Sequence, residues 1–141
     1  MIQVFDVVLP NVPLSNIELA DAAKKLKIPH FKGVFVRDEL PSSAAKNECG
    51  ILNLDDSSGN GTHWVAWFKR GDNKFYFDSF GLNPPEELVK YLKSPVYYNS
   101  ERIQPDGQVF CGHLCLYMST ELSNSRGEIN KTYQSIINNL H

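Results

Sequence analysis

The first regular alternation of apolar and polar positions along the chain begins at Ser15 and predicts a helix. Ser15 and Glu18 have the spacing of a capping box, in which each side chain accepts a hydrogen bond from the other residue's backbone N–H. The apolar positions that follow lie three and four apart, on one helix face: Leu19, Ala22, Ala23 and Leu26. Because Pro29 cannot continue a helix, we expect the helix to end before it.

The middle of the chain has the shorter apolar runs that are typical of strands. Short strands are predicted at residues 33–36 and 51–54, and a loop at residues 55–61, where turn-forming residues are concentrated. Residues 63–68 and 74–78 are richer in aromatic and β-branched side chains, and a tight turn separates them. We therefore expect these two strands to form an antiparallel hairpin.

The second half of the chain is predominantly helical in pattern. Asn83 and Pro84 predict the cap and the first residue of a second helix, and residues 96–98 predict a short strand. A third helix is predicted from Cys111, because apolar side chains recur on one face: Cys111, Leu114, Cys115, Met118 and Leu122. A last helix is predicted from Asn130 to the C-terminus. This order of elements predicts an α+β domain with helices packed on a mainly antiparallel mixed sheet.

Composition narrows the class of protein without indicating its chemistry. The 141 residues suit one compact domain, residues 1–141, and the formal net charge of -2 gives no overall basic surface for nucleic acid. The sequence contains neither an apolar stretch long enough to span a bilayer nor the pattern of a signal peptide, so we expect no membrane partner. Three cysteines, an odd number, do not favour a disulfide framework, and we expect an intracellular, reducing compartment.

Cys111 is a candidate nucleophile because it is predicted to open a helix. A cysteine reacts as its thiolate, and both a helix N-terminus and a nearby imidazolium raise the thiolate fraction. Taken alone, Cys111 is equally well interpreted as a small buried residue. For Cys115, one helical turn further on, we expect the structural role.

His63 and Asp78 favour the catalytic interpretation of Cys111. His63 lies where the loop at residues 55–61 enters the first strand of the hairpin, and Asp78 ends the second strand. In an antiparallel pair the start of one strand lies beside the end of the other. We therefore expect His63 and Asp78 to be neighbours, as a base and its orienting carboxylate must be.

An acyl-transfer site also needs donors for the developing oxyanion. The backbone N–H of Cys111 is one candidate, since first-turn amides have no partner within a helix. The side-chain amide of Gln104 is the second, with Gln108 as the alternative. Trp64 is a candidate to cover the imidazole, and Gly112 to let another backbone approach the sulfur, and both are candidate substrate-binding residues.

Two other kinds of site are weaker candidates. Cys49 also precedes a glycine, but it leads into a strand and has no histidine motif, so it lacks the helix-terminus effect. His113, with Cys111 or Cys115, has no second ligand pair at zinc spacing. Phosphate-binding glycine loops are absent from the sequence. We therefore expect neither a metal nor a cofactor.

The order His63, Asp78, Gln104, Cys111 resembles a known family. It is carried by the sequences GTHW (61–64), FYFDSFG (75–81) and QPDGQVFCG (104–112), and it resembles the adenovirus-type maturation proteases (adenains) and their relatives in the ubiquitin-like-protein protease clan. The segment 47–64 is further similar to proteases of Maverick/Polinton elements and of virophage-like DNA viruses. The resemblance extends from about Ile17 to Leu122.

The resemblance implies a permuted papain-like fold, in which the histidine and the acid precede the cysteine. It implies a thiol endopeptidase with His63 as base, Asp78 as third member, Gln104 in the oxyanion hole and Cys111 as nucleophile. Capsid or core precursor polypeptides are the implied substrates and partners, cleaved during virion maturation in the infected cell, with the protease packaged in the virion.

The sequence departs from the adenoviral pattern at the acid and at the activators. The acid is Asp78, as in the ubiquitin-like-protein proteases, where adenoviral enzymes carry Glu. Adenoviral enzymes are activated by a disulfide-linked peptide and by DNA. Cysteines occur here only at positions 49, 111 and 115, none of which matches the peptide-linking cysteine, and the net charge is slightly acidic. We therefore expect neither form of activation to transfer.

Three alternatives share the same sequence features. The chain could remove a ubiquitin-like modifier of the SUMO or NEDD8 type, as other proteases of this clan do. It could be an acyltransferase that uses acetyl-CoA, although no basic pocket for the nucleotide is evident. It could also be a binding module on a decayed protease scaffold, although all four site residues are retained.

Overall fold

The computed structural model describes residues 2–54, 63–93, 95–100, 102, 111–125 and 129–140, which form seven strands, a 3-10 turn and four helices. The strands are β1 (Ile2–Val4), β2 (Val7–Leu9), β3 (Phe31–Val36), β4 (Asn47–Asn53), β5 (Trp64–Arg70), β6 (Asn73–Phe77) and β7 (Tyr97–Tyr98). The helices are α1 (Asn16–Lys25), α2 (Glu86–Leu92), α3 (Cys111–Asn124) and α4 (Ile129–Leu140), and the 3-10 turn spans Arg37–Glu39. The predicted loop at residues 55–61 lies outside the described residues.

Five of the strands form one mixed sheet in the order β3-β4-β5-β6-β7. The two central pairings, β4–β5 and β5–β6, are antiparallel, as the hairpin pattern predicts. The outer pairings, β3–β4 and β6–β7, are parallel and shorter, so the sheet is mixed and mainly antiparallel, as expected. Parallel neighbours need a crossover connection, and α2 lies in the crossover from β6 to β7.

The sheet separates two apolar clusters. One face packs on α1, α3 and α4 and includes Cys49, Ile51, Ala66, Phe68, Phe75 and Phe77 from the strands. The other face packs on α2 and contains Leu52, Val65, Trp67 and Tyr76 with Leu88 and Leu92. Successive strand residues point to opposite faces, which is why the central strands are apolar at almost every position.

The predicted helix starts are confirmed for α1 and α3 and wrong for α2. Ser15 caps α1, its Oγ accepting from the Glu18 N–H (3.1 Å) and the Glu18 carboxylate accepting from the Ser15 N–H (3.0 Å). Helix α2 begins after Pro85, which has extended backbone and no capping side chain, so Asn83 is not the cap. The residue before a proline disfavours the helical conformation, and Pro84 precedes Pro85.

An N-terminal hairpin, β1–β2, has no counterpart among the predicted elements. Its strands pair Val4 with Val7, and Phe5 in the turn has a positive φ of 54°. Such turns usually contain glycine or asparagine. Neither residue occurs in this turn, so the sequence lacks the usual signal of a hairpin. The Phe5 ring stacks on Tyr117 of α3, with 5.5 Å between the ring centroids.

In the described part of the chain, no helix has the length and apolar character to cross a membrane.

Gly50 of β4 lies directly beneath the ring of its cross-strand partner, Trp67 of β5. A Cβ atom at Gly50 would lie 2.5 Å from Cζ2 and 2.9 Å from Cζ3 of that ring. The ring is fixed, because its N–H donates to Glu48 Oε2 (2.9 Å) and it makes a T-shaped contact with the ring of Tyr91. The close packing of the Trp67 ring on β4 is therefore possible only because Gly50 has no side chain.

We expect Gly50→Ala to lower the free energy of unfolding by about 1–3 kcal/mol, the usual cost of overpacking a core. Urea denaturation of the variant and the parent chain measures the difference. In a Trp67→Leu background the same substitution should cost much less, because the clashing ring is gone. An equal cost in both backgrounds would contradict this explanation.

Candidate active site

Three predicted site residues converge at one end of the sheet. His63 immediately precedes β5, Asp78 immediately follows β6, and Cys111 is the first residue of α3. The register Ala66↔Phe77 places Asp78 opposite Val65, two residues from His63. His63 Nε2 lies 2.6 Å from Asp78 Oδ1, so the predicted proximity of these two residues is confirmed.

The Asp78 carboxylate is fully buried and held in one orientation. Its Oδ1 accepts a hydrogen bond from the Phe80 N–H (2.8 Å) as well as from His63. The Gly81 N–H donates to the Asp78 carbonyl (2.8 Å), which closes the turn after β6. Oδ2 has no hydrogen-bond partner among the described residues. A buried carboxylate with so few donors is stabilised chiefly by its hydrogen bond to the imidazole of His63.

The imidazole of His63 is covered by the ring of Phe80. The two rings are nearly parallel, 5° apart, with centroids separated by 4.2 Å. The Arg102 guanidinium lies 4.6 Å from the centroid of the same Phe80 ring, in a cation–π contact. The cover that the sequence analysis expected from Trp64 is thus provided by Phe80.

The pKa of His63 is raised from 6.5 to about 9. Burial is the largest effect and acts to lower this pKa, but the hydrogen bonds to Asp78 and Cys111 and the negative charges of both groups outweigh it. Nε2 is committed to Asp78, which leaves Nδ1 for the thiol. The site therefore favours a protonated imidazole at neutral pH.

The pKa of Cys111 is lowered from its ordinary value of 9.0. Burial is again the largest effect and raises this pKa, but it is overcome by the hydrogen bond and positive charge of His63 and by backbone N–H groups of Trp64 and Gly112. The Trp64 N–H lies 3.5 Å from Sγ. Together with the position at the start of α3, these contacts favour a thiolate paired with an imidazolium.

The other two cysteines have opposite properties. Burial raises the pKa of Cys49 to about 11, and its thiol contacts the Pro29 carbonyl (3.6 Å) and the Ser123 hydroxyl (3.7 Å). Burial also raises the pKa of Cys115 well above 9.0. Both are small core residues, and all three cysteines are free thiols. The structure therefore does not favour Cys49 as a nucleophile, and it places Cys115 in the core, as expected.

Trp64 and Gly112 join the site to the core. The indole N–H of Trp64 donates to the Leu14 carbonyl (2.9 Å), and both residues are buried. A Cβ at Gly112 would lie 3.2 Å from Leu19 Cδ2 and 3.4 Å from Trp64 Cδ1. Side chains, rather than another backbone, therefore approach Gly112, and its small size lets α3 lie close to α1.

Gln104 and Gln108, the two candidate oxyanion donors, lie outside the described residues. Among the described residues, sequence analysis missed Phe80, Asn99 and Tyr133. Asn99 pairs with the main chain of Asp78, and Tyr133 of α4 donates to Asn99. The only sequence signal for Asn99 is a polar residue directly after the predicted strand at 96–98.

Within the described chain no cluster of three or more His, Cys, Asp or Glu residues could hold a metal ion.

We expect Cys111 to be alkylated by iodoacetamide at a pH where an ordinary thiol is still protonated, while Cys49 and Cys115 stay unmodified. The rate should rise in one step below pH 9.0, because the pKa of Cys111 is lowered. Peptide mass spectrometry across a pH series measures this. His63→Ala should move the step to higher pH. A step that does not move would show that His63 does not lower the pKa of Cys111.

No protein-family model matches this chain. Its sequence is similar to two curated proteins of African swine fever virus: the cysteine protease S273R of a tick isolate from Malawi and the SUMO-1 cysteine protease S273R of a pig isolate from Kenya. Each is 32% identical over an alignment of 94 residues, which covers 59% of this chain and 34% of the relative. The chain thus spans about a third of the length of the curated relatives it matches.

The fold is also that of a solved viral protein. The crystal structure of the selenomethionine form of the African swine fever virus pS273R protease matches with a TM-score of 0.52 and 18% identity, covering 91% of this chain and 68% of that one. At this identity the match shows the fold alone, and it confirms the predicted α+β class, with helices packed on a mixed sheet and Cys111 at the start of α3. In sequence and in fold, this chain is similar to the S273R cysteine proteases of African swine fever virus.

Proposed function

We propose that the chain is a cysteine endopeptidase with Cys111 as nucleophile, His63 as acid and base, and Asp78 as the orienting carboxylate. The observation that carries the proposal is the buried 2.6 Å contact of His63 with Asp78 beside a thiol of lowered pKa. Carboxylate, imidazole and thiol are the three groups that thiol acyl transfer uses. The similarity to viral cysteine proteases supports the same conclusion.

In the proposed reaction the Cys111 thiolate attacks the peptide carbonyl carbon and forms a C–S bond. Electron density moves to the carbonyl oxygen, which the Cys111 N–H and the side-chain amide of Gln104, or of Gln108, would stabilise. Collapse of this intermediate breaks the C–N bond as the His63 imidazolium protonates the leaving amine. Water, deprotonated by His63, then hydrolyses the thioester, which releases the acid product and restores the pair of Cys111 thiolate and His63 imidazolium.

The proposed substrates are capsid or core precursor polypeptides of a virus or a Maverick/Polinton-type element. Support comes from the viral relatives. The extension to such elements rests on the resemblance noted for segment 47–64 in the sequence alone. Precursor cleavage during virion maturation places the protease in the infected cell and in the assembling virion. Activation by DNA or by a disulfide-linked peptide is not part of the proposal.

We expect the chain to cleave capsid precursors encoded by the same genome at discrete sites. Mass spectrometry of the new termini identifies them. Cys111→Ala should abolish cleavage without unfolding the chain, because only the attacking sulfur is lost, whereas Cys49→Ala should retain it. Cleavage by the Cys111→Ala variant would refute the assignment of the nucleophile.

A second candidate is the removal of a ubiquitin-like modifier, because three relatives are named SUMO-1 cysteine proteases. A SUMO vinyl sulfone would form a covalent adduct with Cys111 if this candidate is correct. Adduct formation without precursor cleavage would favour the second candidate. Cleavage without an adduct would favour the first.

The pH dependence of kcat/KM should fall on the alkaline side near pH 9, because deprotonated His63 cannot protonate the leaving amine. Asp78→Asn removes the carboxylate whose hydrogen bond and charge help to raise the His63 pKa, so this alkaline limb should move toward 6.5, the ordinary histidine value. We also expect kcat to fall by about 10²–10⁴-fold. Initial rates on a peptide spanning a mapped cleavage site measure both effects.

Asp72→Asn is the matched control, because Asp72 is an exposed acid in the turn between β5 and β6. It should leave both the rate and the alkaline limb unchanged. An Asp78→Asn variant with the parent's pH profile would show that this carboxylate does not support the imidazolium.

A further inference from the structure

The main chain of Asp78 is held by a side chain from another part of the sheet. The Asp78 N–H donates to Asn99 Oδ1 (3.0 Å), and Asn99 Nδ2 donates to the Asp78 carbonyl (2.6 Å). The last backbone pair of the neighbouring β6–β7 ladder is Tyr76↔Tyr98, so the Asn99 amide continues the pairing where the ladder ends. Both residues are buried, and one side chain thus satisfies both polar main-chain groups of Asp78.

Tyr133 of α4 fixes the orientation of the Asn99 amide. Its hydroxyl donates to Asn99 Oδ1 (2.8 Å) and also lies 3.3 Å from the Tyr76 carbonyl. A hydroxyl donor at Oδ1 keeps the oxygen toward the Asp78 N–H and the NH₂ group toward the Asp78 carbonyl. The Tyr133 ring stacks on Phe75 of β6, with 5.2 Å between centroids, so the hydroxyl itself is firmly placed.

We propose that Asn99 and Tyr133 are positioning residues of the active site. The Tyr133 hydroxyl fixes the Asn99 amide, the amide fixes the main chain of Asp78, and Asp78 then presents Oδ1 to His63. The inference rests on the proposed function, because it explains how the same site is aligned. Helix α4 thereby contributes to catalysis although neither residue touches the reacting atoms.

The position of the Asp78 carboxylate relative to His63 depends on the Asp78 main chain, because the carboxylate makes few contacts of its own. Oδ1 accepts from His63 (2.6 Å) and from the Phe80 N–H (2.8 Å), and Oδ2 has no partner in the part of the chain that the structure describes. A displaced backbone would therefore carry Oδ1 away from the imidazole. Misplacement of a catalytic group by 1 Å can lower a rate by about 10²-fold.

The charges around His63 do not change when Asn99 or Tyr133 is replaced. Asp78 and Cys111 face the imidazole, and Arg102 lies beyond the Phe80 ring. Besides His63, the described titratable groups that interact with Asp78 are Tyr76, Cys115 and Tyr133, and burial raises the pKa of each, so all three are neutral at neutral pH. A shift in the pH profile of a Tyr133→Phe variant therefore reports altered geometry.

Tyr133→Phe retains the ring stack and deletes only the hydroxyl, so we expect the fold to persist. Its kcat should fall about tenfold with KM unchanged, and its alkaline limb should move below the value of about 9 set by His63. Asn99→Ala should act in the same direction and lower kcat by about 10²-fold. Steady-state kinetics across pH, with thermal unfolding of each variant, measure these effects.

Tyr76→Phe is the matched control. Tyr76 of β6 is also a buried tyrosine near Asp78, but no described residue hydrogen-bonds its hydroxyl, so kcat and the pH profile should stay as in the parent. In an Asp78→Asn background, Tyr133→Phe should have almost no further effect, because it acts through the carboxylate. Multiplicative losses in the double variant, or an unmoved alkaline limb in Tyr133→Phe, would overturn the proposal.

The pH dependence of Cys111 alkylation separates this proposal from the proposed function, since it needs no peptide substrate. If the chain cleaves no peptide but Tyr133→Phe still shifts the alkylation step toward that of Asp78→Asn, the positioning role stands and the protease function fails. If the parent cleaves peptides and Tyr133→Phe moves neither profile, the positioning role fails and the function stands.

Discussion

The site depends on one buried hydrogen bond, between His63 Nε2 and Asp78 Oδ1. A carboxylate with no exposure to water is costly, and it is tolerated here because a hydrogen bond from the imidazole meets it. That bond raises the pKa of His63, and the protonated ring in turn lowers the pKa of Cys111. A change at Asp78 therefore reaches the sulfur through the imidazole, although the carboxylate and the thiol belong to different elements of the fold.

The position of the sulfur depends on how α3 meets the rest of the core. Gly112 lets the first turn of α3 approach Leu19 of α1, and Trp64 donates its backbone N–H to the Cys111 sulfur and its indole N–H to the Leu14 carbonyl. The segment before α1, the start of β5 and the start of α3 are thus connected at one point. Core packing and reactivity are consequently not independent in this molecule, because the contacts that bury Trp64 also place a donor against the thiol.

The parts of the site that sequence analysis predicted are those that local patterns determine. His63 and Asp78 belong to one hairpin, whose short turn fixes the register, and Cys111 opens a helix with a continuous apolar face. Asn99 and Tyr133 could not be predicted in this way, since they reach Asp78 through a parallel pairing and a distant helix. The same reason explains the outer strands of the sheet: parallel partners are set by crossovers, which periodicity in the sequence does not reveal. The β1–β2 hairpin was missed because Phe5 takes a turn conformation that usually belongs to glycine.

The three cysteines of the chain show that reactivity here is a property of position rather than of residue type. All three are buried, and burial alone raises the pKa of a thiol, as it does for Cys49 and Cys115. Only at Cys111 do an imidazolium, two backbone N–H groups and the start of a helix outweigh that effect. A thiolate is thus favoured at one site while the other thiols remain protonated in the core. Because these effects oppose one another at Cys111, their balance is sensitive to small displacements, and the proposed positioning role of Asn99 and Tyr133 would act on it through Asp78 and His63.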